Sequence, residues 1–233
     1  MGQNNREEWI DLLSMVAVLA PLGSQELDRL AQRVPERSFA RGDMVYASGD
    51  APGSLYLLLT GRIRLYNTTG GHEFTWDVLQ AGTMFGESSL MGHAHPEYAQ
   101  ALEPARAGLL DSNTFWQLVR DNPEVNGRVI KLLVEGSYAK MGRMTDLALK
   151  GVRARLAGML LTLLQDEGVV TRDGHYRILT RYTHEDLATM IGAKRVAVTR
   201  AFVNLRELGH VRHIRKQIYV TDLATLHAVA EEV

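Results

Sequence analysis

The stretch THEDLATMIGAKRVAVTRAFVNLRELGHV, Thr183 to Val211, decides the reading of this chain. It predicts two short helices separated by a single glycine. Thr183 is an N-cap candidate, and Asp186, three residues on, completes a variant of the capping box. Leu187, Ala188 and Ile191 give the first helix an apolar face. Gly192 then ends it, because the left-handed backbone that closes a helix is easiest for glycine. A second helix restarts near Lys194. A tight helix–turn–helix needs a small residue where the helices approach, a permissive turn and a buried residue on the second helix. Ala188, Gly192 and Val198 meet those needs together.

At about 100° per residue, Arg195, Val196, Thr199 and Arg200 share one side of the second helix within about 140°. Val198, Ala201, Leu205 and Leu208 fall on the other side and would pack the domain. A recognition helix presents its N-terminal residues to base edges in the major groove, where arginine pairs with guanine O6 and N7. Arg195, Val196, Thr199 and Arg200 are therefore the candidate base contacts. Thr183, His184 and Lys194, beside the helix N-termini, are candidates for DNA phosphate. The following HVRHIRKQIYVTD predicts a hairpin wing with Arg215 and Lys216 at its tip, two further phosphate candidates. From Lys194 to Lys216 seven cations (Lys194, Arg195, Arg200, Arg206, Arg212, Arg215, Lys216) face one anion, Glu207. In a chain of net charge −1 that local excess fits a phosphate-facing surface, although a solvated helix face has the same charge.

Outside this segment the composition is that of an ordinary globular protein, and 233 residues suffice for one large or two small cores. Cysteine is absent, which excludes disulfides, thiolate zinc sites and cysteine-held iron–sulfur clusters. No run is long enough to span a membrane, and the opening MGQNNREEWIDLL is polar and acidic, so a cytoplasmic protein without membrane contact is expected.

Two short helices are expected between Arg6 and Val34, the second capped by Ser24. From Glu36 the period changes to short β-rich runs punctuated by glycine, the pattern of a small β-barrel or roll. Ser112 is the expected cap of a helix over NTFWQLVRDN. A long helix follows from Pro123 to about Leu149. Two heptad seams fit it. One runs through Ile130, Val134, Ser137, Met141, Met144 and Ala148, the other through Ile130, Leu133, Ser137, Lys140, Met144 and Leu147. Either suits a parallel homodimer, with Ile130, Leu133, Val134, Ser137, Met141, Met144 and Leu147 as candidate interface. An amphipathic helix from Val152 leads into the helix–turn–helix region, and Asp222 caps a last helix.

Taken together these residues resemble the CRP/FNR superfamily of bacterial transcription regulators. SGD (48–50), LYLLLTGRIRLY (55–66) and GTMFGESSLMG (82–92) follow the family's glycine pattern, and the resemblance covers nearly the whole chain. It implies an α+β protein in three parts. Residues 1–122 would form an N-terminal β-roll (a cyclic-nucleotide-binding-like jelly roll) serving as effector domain, 123–150 a dimerisation helix, and 151–233 a winged helix–turn–helix. Members that bind cyclic AMP carry Gly-Glu followed by Arg-Ser. Gly86 and Glu87 match the first pair, but the second falls at Glu97 and Tyr98, without arginine. The candidate effector pocket is then Gly86, Glu87, Ser88, Glu97, Tyr98 and, from the long helix, Lys140. An anionic phosphate beside Glu97 would be repelled. The recognition sequence KRVAVTR is similar to that of the nitrogen-control (NtcA-type) regulators, whose effector is 2-oxoglutarate. It retains the arginines of the cyclic-AMP type but has Val196 in place of a glutamate. His72, His93 and His95 could be considered for haem, but lone loop histidines are usually solvated. GESSL lacks the G-x-S-x-G of a nucleophile elbow, and the sequence offers no other catalytic constellation. The expectation is a homodimeric, sequence-specific, double-stranded-DNA-binding regulator, an activator touching RNA polymerase. It would need no cofactor, no metal and no cyclic AMP. The alternatives are a regulator responding to a cyclic nucleotide or small dicarboxylate through the β-roll, a nucleotide-binding module controlling a partner, and a cupin-like enzyme.

Overall fold

The run Leu55–Thr60 is apolar without alternation, and the computed structural model, which describes residues 3–232, shows the reason. The strand is buried on both faces. Leu55, Leu57 and Leu59 point into a core shared with N-terminal helices, while Tyr56 and Leu58 point into the space between two sheets. Successive side chains alternate across a strand, so a strand lying between two cores must be apolar throughout.

Helices α1 (Gln3–Ser14) and α2 (Ser24–Ala31) are joined by a short 3₁₀ turn and lay Trp9, Leu13, Leu27 and Leu30 on that strand. Ser24 is not the cap of α2. Gly23 holds the N-cap position and its N–H donates to the Glu26 carboxylate at 3.0 Å, which leaves Ser24 as the first helical residue. Eight strands follow, β1 (Glu36–Phe39), β2 (Met44–Tyr46), β3 (Leu55–Thr60), β4 (Ile63–Thr69), β5 (His72–Leu79), β6 (Met84–Phe85), β7 (Tyr98–Ala101) and β8 (Ala105–Leu110). They pair in two four-stranded sheets, ordered β1-β8-β3-β6 and β2-β7-β4-β5. Phe39, Tyr46, Tyr56, Ile63, Phe85 and Ala99 fill the sandwich between them.

Helix α3 (Ser112–Asp121) starts one residue earlier in its capping than the sequence suggests. The Asp111 carboxylate accepts from the Thr114 N–H at 3.0 Å and from its hydroxyl at 2.5 Å. A carboxylate is the stronger acceptor, so Asp111 rather than Ser112 is the N-cap. Helix α4 (Pro123–Leu149) is unbroken over 27 residues. Then come α5 (Val152–Glu167), β9 (Gly168–Val170), β10 (Tyr176–Ile178), α6 (His184–Met190), α7 (Arg195–Glu207), β11 (Val211–Ile214), β12 (Gln217–Val220) and α8 (Leu223–Ala230). The last four strands form one sheet in the order β11-β12-β10-β9. Leu156, Ala157, Leu160 and Leu163 of α5 are buried in the core of this part, along with Leu226 and Val229 of α8. Asp222 caps α8 by accepting from the Thr225 N–H at 3.0 Å.

The described residues form two compact units, 3–67 with 76–137 and 68–75 with 138–232. The two halves of the continuous helix α4 fall in different units, the change lying between Ser137 and Tyr138. No helix among the described residues is long and apolar enough to cross a membrane.

Candidate nucleic-acid interface

Thr183 and Asp186 close a reciprocal capping box at the start of α6. The Thr183 N–H donates to Asp186 Oδ2 at 2.7 Å, and the Asp186 N–H donates to Thr183 Oγ1 at 3.1 Å. Gly192 has φ +61 in the turn after α6, a left-handed conformation that a side chain would disfavour. Ala188 and Val198 are buried where α6 and α7 meet. Lys194 is the N-cap residue of α7 and makes no side-chain capping bond, so its ammonium stays in solvent beside the helix's partial positive charge. Arg195, Val196 and Arg200 are exposed on the first turns, Val196 at 61%. Neither Arg195 nor Arg200 forms an ion pair or side-chain hydrogen bond among the described residues.

Two residues of α7 depart from the simple helical wheel. Leu208, assigned to the packing face, is its C-cap and is 53% exposed. Phe202 is buried instead, although it lies near the azimuth of Arg195. The two are about two turns apart. Over Phe202 lie the rings of His184 and His213 at 5.2 and 5.7 Å, so the face that is free at the N-terminal end of α7 is covered further along. The signal for this was present only as an aromatic on an otherwise polar stripe.

His184 is also placed differently from the phosphate position expected for it. Its ring turns into the domain, where Nδ1 lies 2.9 Å from Thr199 Oγ1. Its Nε2 is buried without a partner. Burial, helped by His213 and Arg195, lowers its pKa, so it stays neutral. The reason is steric: the planar ring fills the space between α6, Phe202 and the wing residue His213.

β11 and β12 pair from Val211↔Val220 to Ile214↔Gln217, leaving Arg215 and Lys216 as a two-residue loop. Both have positive φ, +50 and +67. That is the type I′ hairpin turn, which ordinarily takes Asn-Gly. Each residue with a Cβ in the left-handed region costs roughly 1–2 kcal/mol. Two cations thus occupy the wing tip against backbone preference.

The β-roll positions separate. Gly86, at φ +83, opens the 3₁₀ turn Glu87–Met91. Glu97 points inward and accepts from the Tyr46 hydroxyl at 3.0 Å. Tyr46 stacks on His95 with ring centroids 3.8 Å apart, and His95 Nδ1 lies 3.0 Å from Ser88 Oγ. Burial, then the Glu97 and Glu87 carboxylates, push the Tyr46 phenol up, while burial lowers His95. Tyr98 is not in this cluster. The alternation of β7 puts it on the opposite face, stacked on Tyr66 at 5.1 Å. Lys140 is an exposed residue of the second unit. No group of three or more His, Cys, Asp or Glu residues suited to a metal occurs among the described residues.

A β-sandwich effector-type domain followed by a winged helix–turn–helix, with free arginines on the second helix, defines a DNA-binding transcription regulator. Residues 36–122 match the cyclic nucleotide-binding domain and residues 154–229 the Crp-like helix-turn-helix domain. The chain belongs to the CRP/FNR family of transcription regulators. It is 29% identical over 211 residues to the cyclic AMP receptor protein of Thermus thermophilus, covering 90% of this chain and 94% of that one. It is also 29% identical over 193 residues to the global nitrogen regulator of Nostoc sp. PCC 7120, covering 81% and 86%. A solved CRP/FNR-family regulator from T. thermophilus superposes with a TM-score of 0.72 at 27% identity, covering 85% of this chain and 99% of that one.

Proposed function

We propose that the protein is a homodimeric activator that binds palindromic double-stranded DNA and contacts RNA polymerase, without requiring cyclic AMP. The observation that carries the DNA part is the unpaired, exposed Arg195 and Arg200 around Val196 on the first turns of α7. Arg195, Val196, Thr199 and Arg200 read bases. Thr183, Lys194, Arg215 and Lys216 meet phosphates; His184 is omitted because its ring nitrogens face the interior. Selection of bound sites from random DNA tests this, with the expected product an inverted repeat whose half-sites lie about one helical turn apart. A protein that enriches no sequence is not such a regulator.

The wing tip gives a paired prediction. Replacing Arg215 with Asn and Lys216 with Gly relieves two left-handed side chains and should raise the melting temperature by roughly 2–4 °C per kcal/mol relieved. The same variant should bind every DNA sequence more weakly and lower the salt slope of binding by about two units per half-site, hence about four for the dimer on its palindrome. Thermal melts and salt titrations check the two halves independently.

Independence from cyclic AMP rests on Glu97. A carboxylate occupies the position where the resemblance places the phosphate-binding arginine, and it is held there by Tyr46. Bringing an anionic cyclic phosphate beside it is opposed by like charge. Calorimetry should show no saturable binding of cyclic AMP at micromolar concentrations; a micromolar isotherm overturns this part. The second reading, a regulator responding to a cyclic nucleotide or a small dicarboxylate, is favoured by the similarity to a cAMP-activated global regulator of Mycobacterium tuberculosis, 23% identical over 214 residues.

A further inference from the structure

Thr199 stands between the two arginines on the free face of α7, yet its hydroxyl is already committed. It lies 3.0 Å from the carbonyl oxygen of Arg195, one turn back, and 2.9 Å from Nδ1 of His184 on the neighbouring helix. The protons can be placed. A carbonyl only accepts, so the single hydroxyl proton of Thr199 goes to Arg195 O. The bond to His184 then has the imidazole as donor, which makes Nδ1 the protonated nitrogen and leaves Nε2 as a bare lone pair. Nε2 is the ring nitrogen that is buried without a partner. In the opposite tautomer, Thr199 would give up Arg195 O and Nε2–H would be a buried unsatisfied donor, losing one bond more. Neutral His184 satisfies this arrangement, and its lowered pKa, caused first by burial and then by His213 and Arg195, keeps it neutral.

The consequence concerns what α7 can read. With its proton and one of its two lone pairs used inside the domain, the Thr199 hydroxyl has no hydrogen left to donate to a base edge, and its methyl is the apolar group it can offer to the groove. Val196, 61% exposed, is the neighbouring apolar group. We propose that His184 is a positioning residue for base recognition: it ties the Thr199 hydroxyl inward, so that Thr199 and Val196 together present an apolar patch that reads thymine methyl groups between the flanking arginines. This rests on the DNA-binding reading above and deepens it. A threonine free to rotate would instead offer a hydroxyl, which hydrogen-bonds several base edges and discriminates poorly. Phe202 and His213, packed at 5.2 and 6.3 Å from the His184 ring, fix its plane from the recognition helix and the wing.

The experiment uses the full-length protein and its own selected site, in which each thymine of the half-site is replaced in turn by deoxyuridine, which lacks only the methyl. The wild type should lose about three- to fivefold in affinity at two neighbouring thymine positions, the size expected for one buried methyl each. Thr199→Ser keeps the hydroxyl and both of its hydrogen bonds but lacks the methyl, so it should fold normally and lose the thymine preference at one of the two positions. Val196→Ala should lose it at the other. His184→Ala should relax discrimination at the Thr199 position alone. His184→Asn, whose amide nitrogen can take the place of Nδ1 as donor, should restore it. A merely structural role for His184 would lower affinity for all sites equally and show no rescue in base preference. A wild type indifferent to every thymine-to-uracil change, or a Thr199→Ser protein that discriminates as the wild type does, overturns the proposal while leaving specific DNA binding intact. A wild type that selects no DNA sequence at all overturns the regulator reading and this inference with it.

Discussion

Replacing Met144 with glutamate should turn a dimeric protein into a monomer at micromolar concentration and reduce affinity for a palindromic site by about 10²–10⁴-fold. Met144 is 65% exposed on a single chain, and Ile130, Leu133, Val134, Tyr138 and Met141 are each between 46% and 66% exposed on the same helix. At about 100° per residue, these side chains fall within a sector of about 140° along α4. A stripe of this length left in water is an association surface or an aggregation hazard. In the proposed homodimer a second copy of α4 would cover it in either heptad register, because Ile130, Ser137 and Met144 belong to both. A glutamate at position 144 would have to be buried unpaired in the seam, or ionised against its own symmetry mate. The loss in DNA binding follows from valence alone, since one winged domain then holds one half-site without the other to retain it. Sedimentation and operator binding measure the two effects. A wild type that sediments as a monomer removes the dimer from the reading, and a dimeric Met144→Glu protein removes this seam.

Arg195→Ala should cost roughly 1–3 kcal/mol at each half-site and abolish preference for one guanine. The effect enters twice in a palindrome, which makes it the largest expected among single base contacts. Arg195 sits at the N-terminal turn of α7, is exposed, and has no competing partner within the domain among the described residues. In the proposed complex its guanidinium would therefore reach a guanine without first breaking an internal bond. Val196 beside it cannot accept a hydrogen bond from cytosine N4, so the half-site should be of GTA type and not the GTGA that a glutamate would favour. Val196→Glu should shift the preferred base at the adjacent position towards cytosine on the contacted strand. Binding to sites changed one base at a time checks both. An unchanged preference in Arg195→Ala or in Val196→Glu shows that α7 docks in another register.

Under the proposed independence from cyclic AMP, the cluster around Tyr46 lets the β-roll keep the family fold without phosphate chemistry. Inward-facing Glu97 is compatible with the sandwich because a phenol donates to it and a neutral imidazole stacks alongside. The fold is carried by apolar side chains such as Leu58, Ile63 and Phe85, which make no reference to the ligand. The same architecture can therefore keep its core and change its effector.

The sequence by itself determined the local features of this protein. Glycine spacing marked the turns of the β-roll, helical spacing of apolar residues marked α4 to α8, and the Thr183–Asp186 pair and Gly192 marked the helix–turn–helix, because each depends on neighbours within a few residues. Their boundaries missed only where two capping groups competed: Glu26 and Asp111, as carboxylates, set the starts of α2 and α3 in place of Ser24 and Ser112 as caps. Tertiary structure decided which side chains are spoken for. His184, Thr199, Phe202 and His213 are spread over thirty residues of sequence, and only folding brings them together to hold the Thr199 hydroxyl and bury Phe202. Tyr98 and Glu97 are adjacent in sequence, yet Tyr98, the first residue of β7, stacks on Tyr66 while Glu97, just before the strand, accepts from Tyr46. A hydrogen bond is satisfied by whichever partner packing brings within reach, so a polar residue's role is fixed by contacts that sequence spacing does not encode.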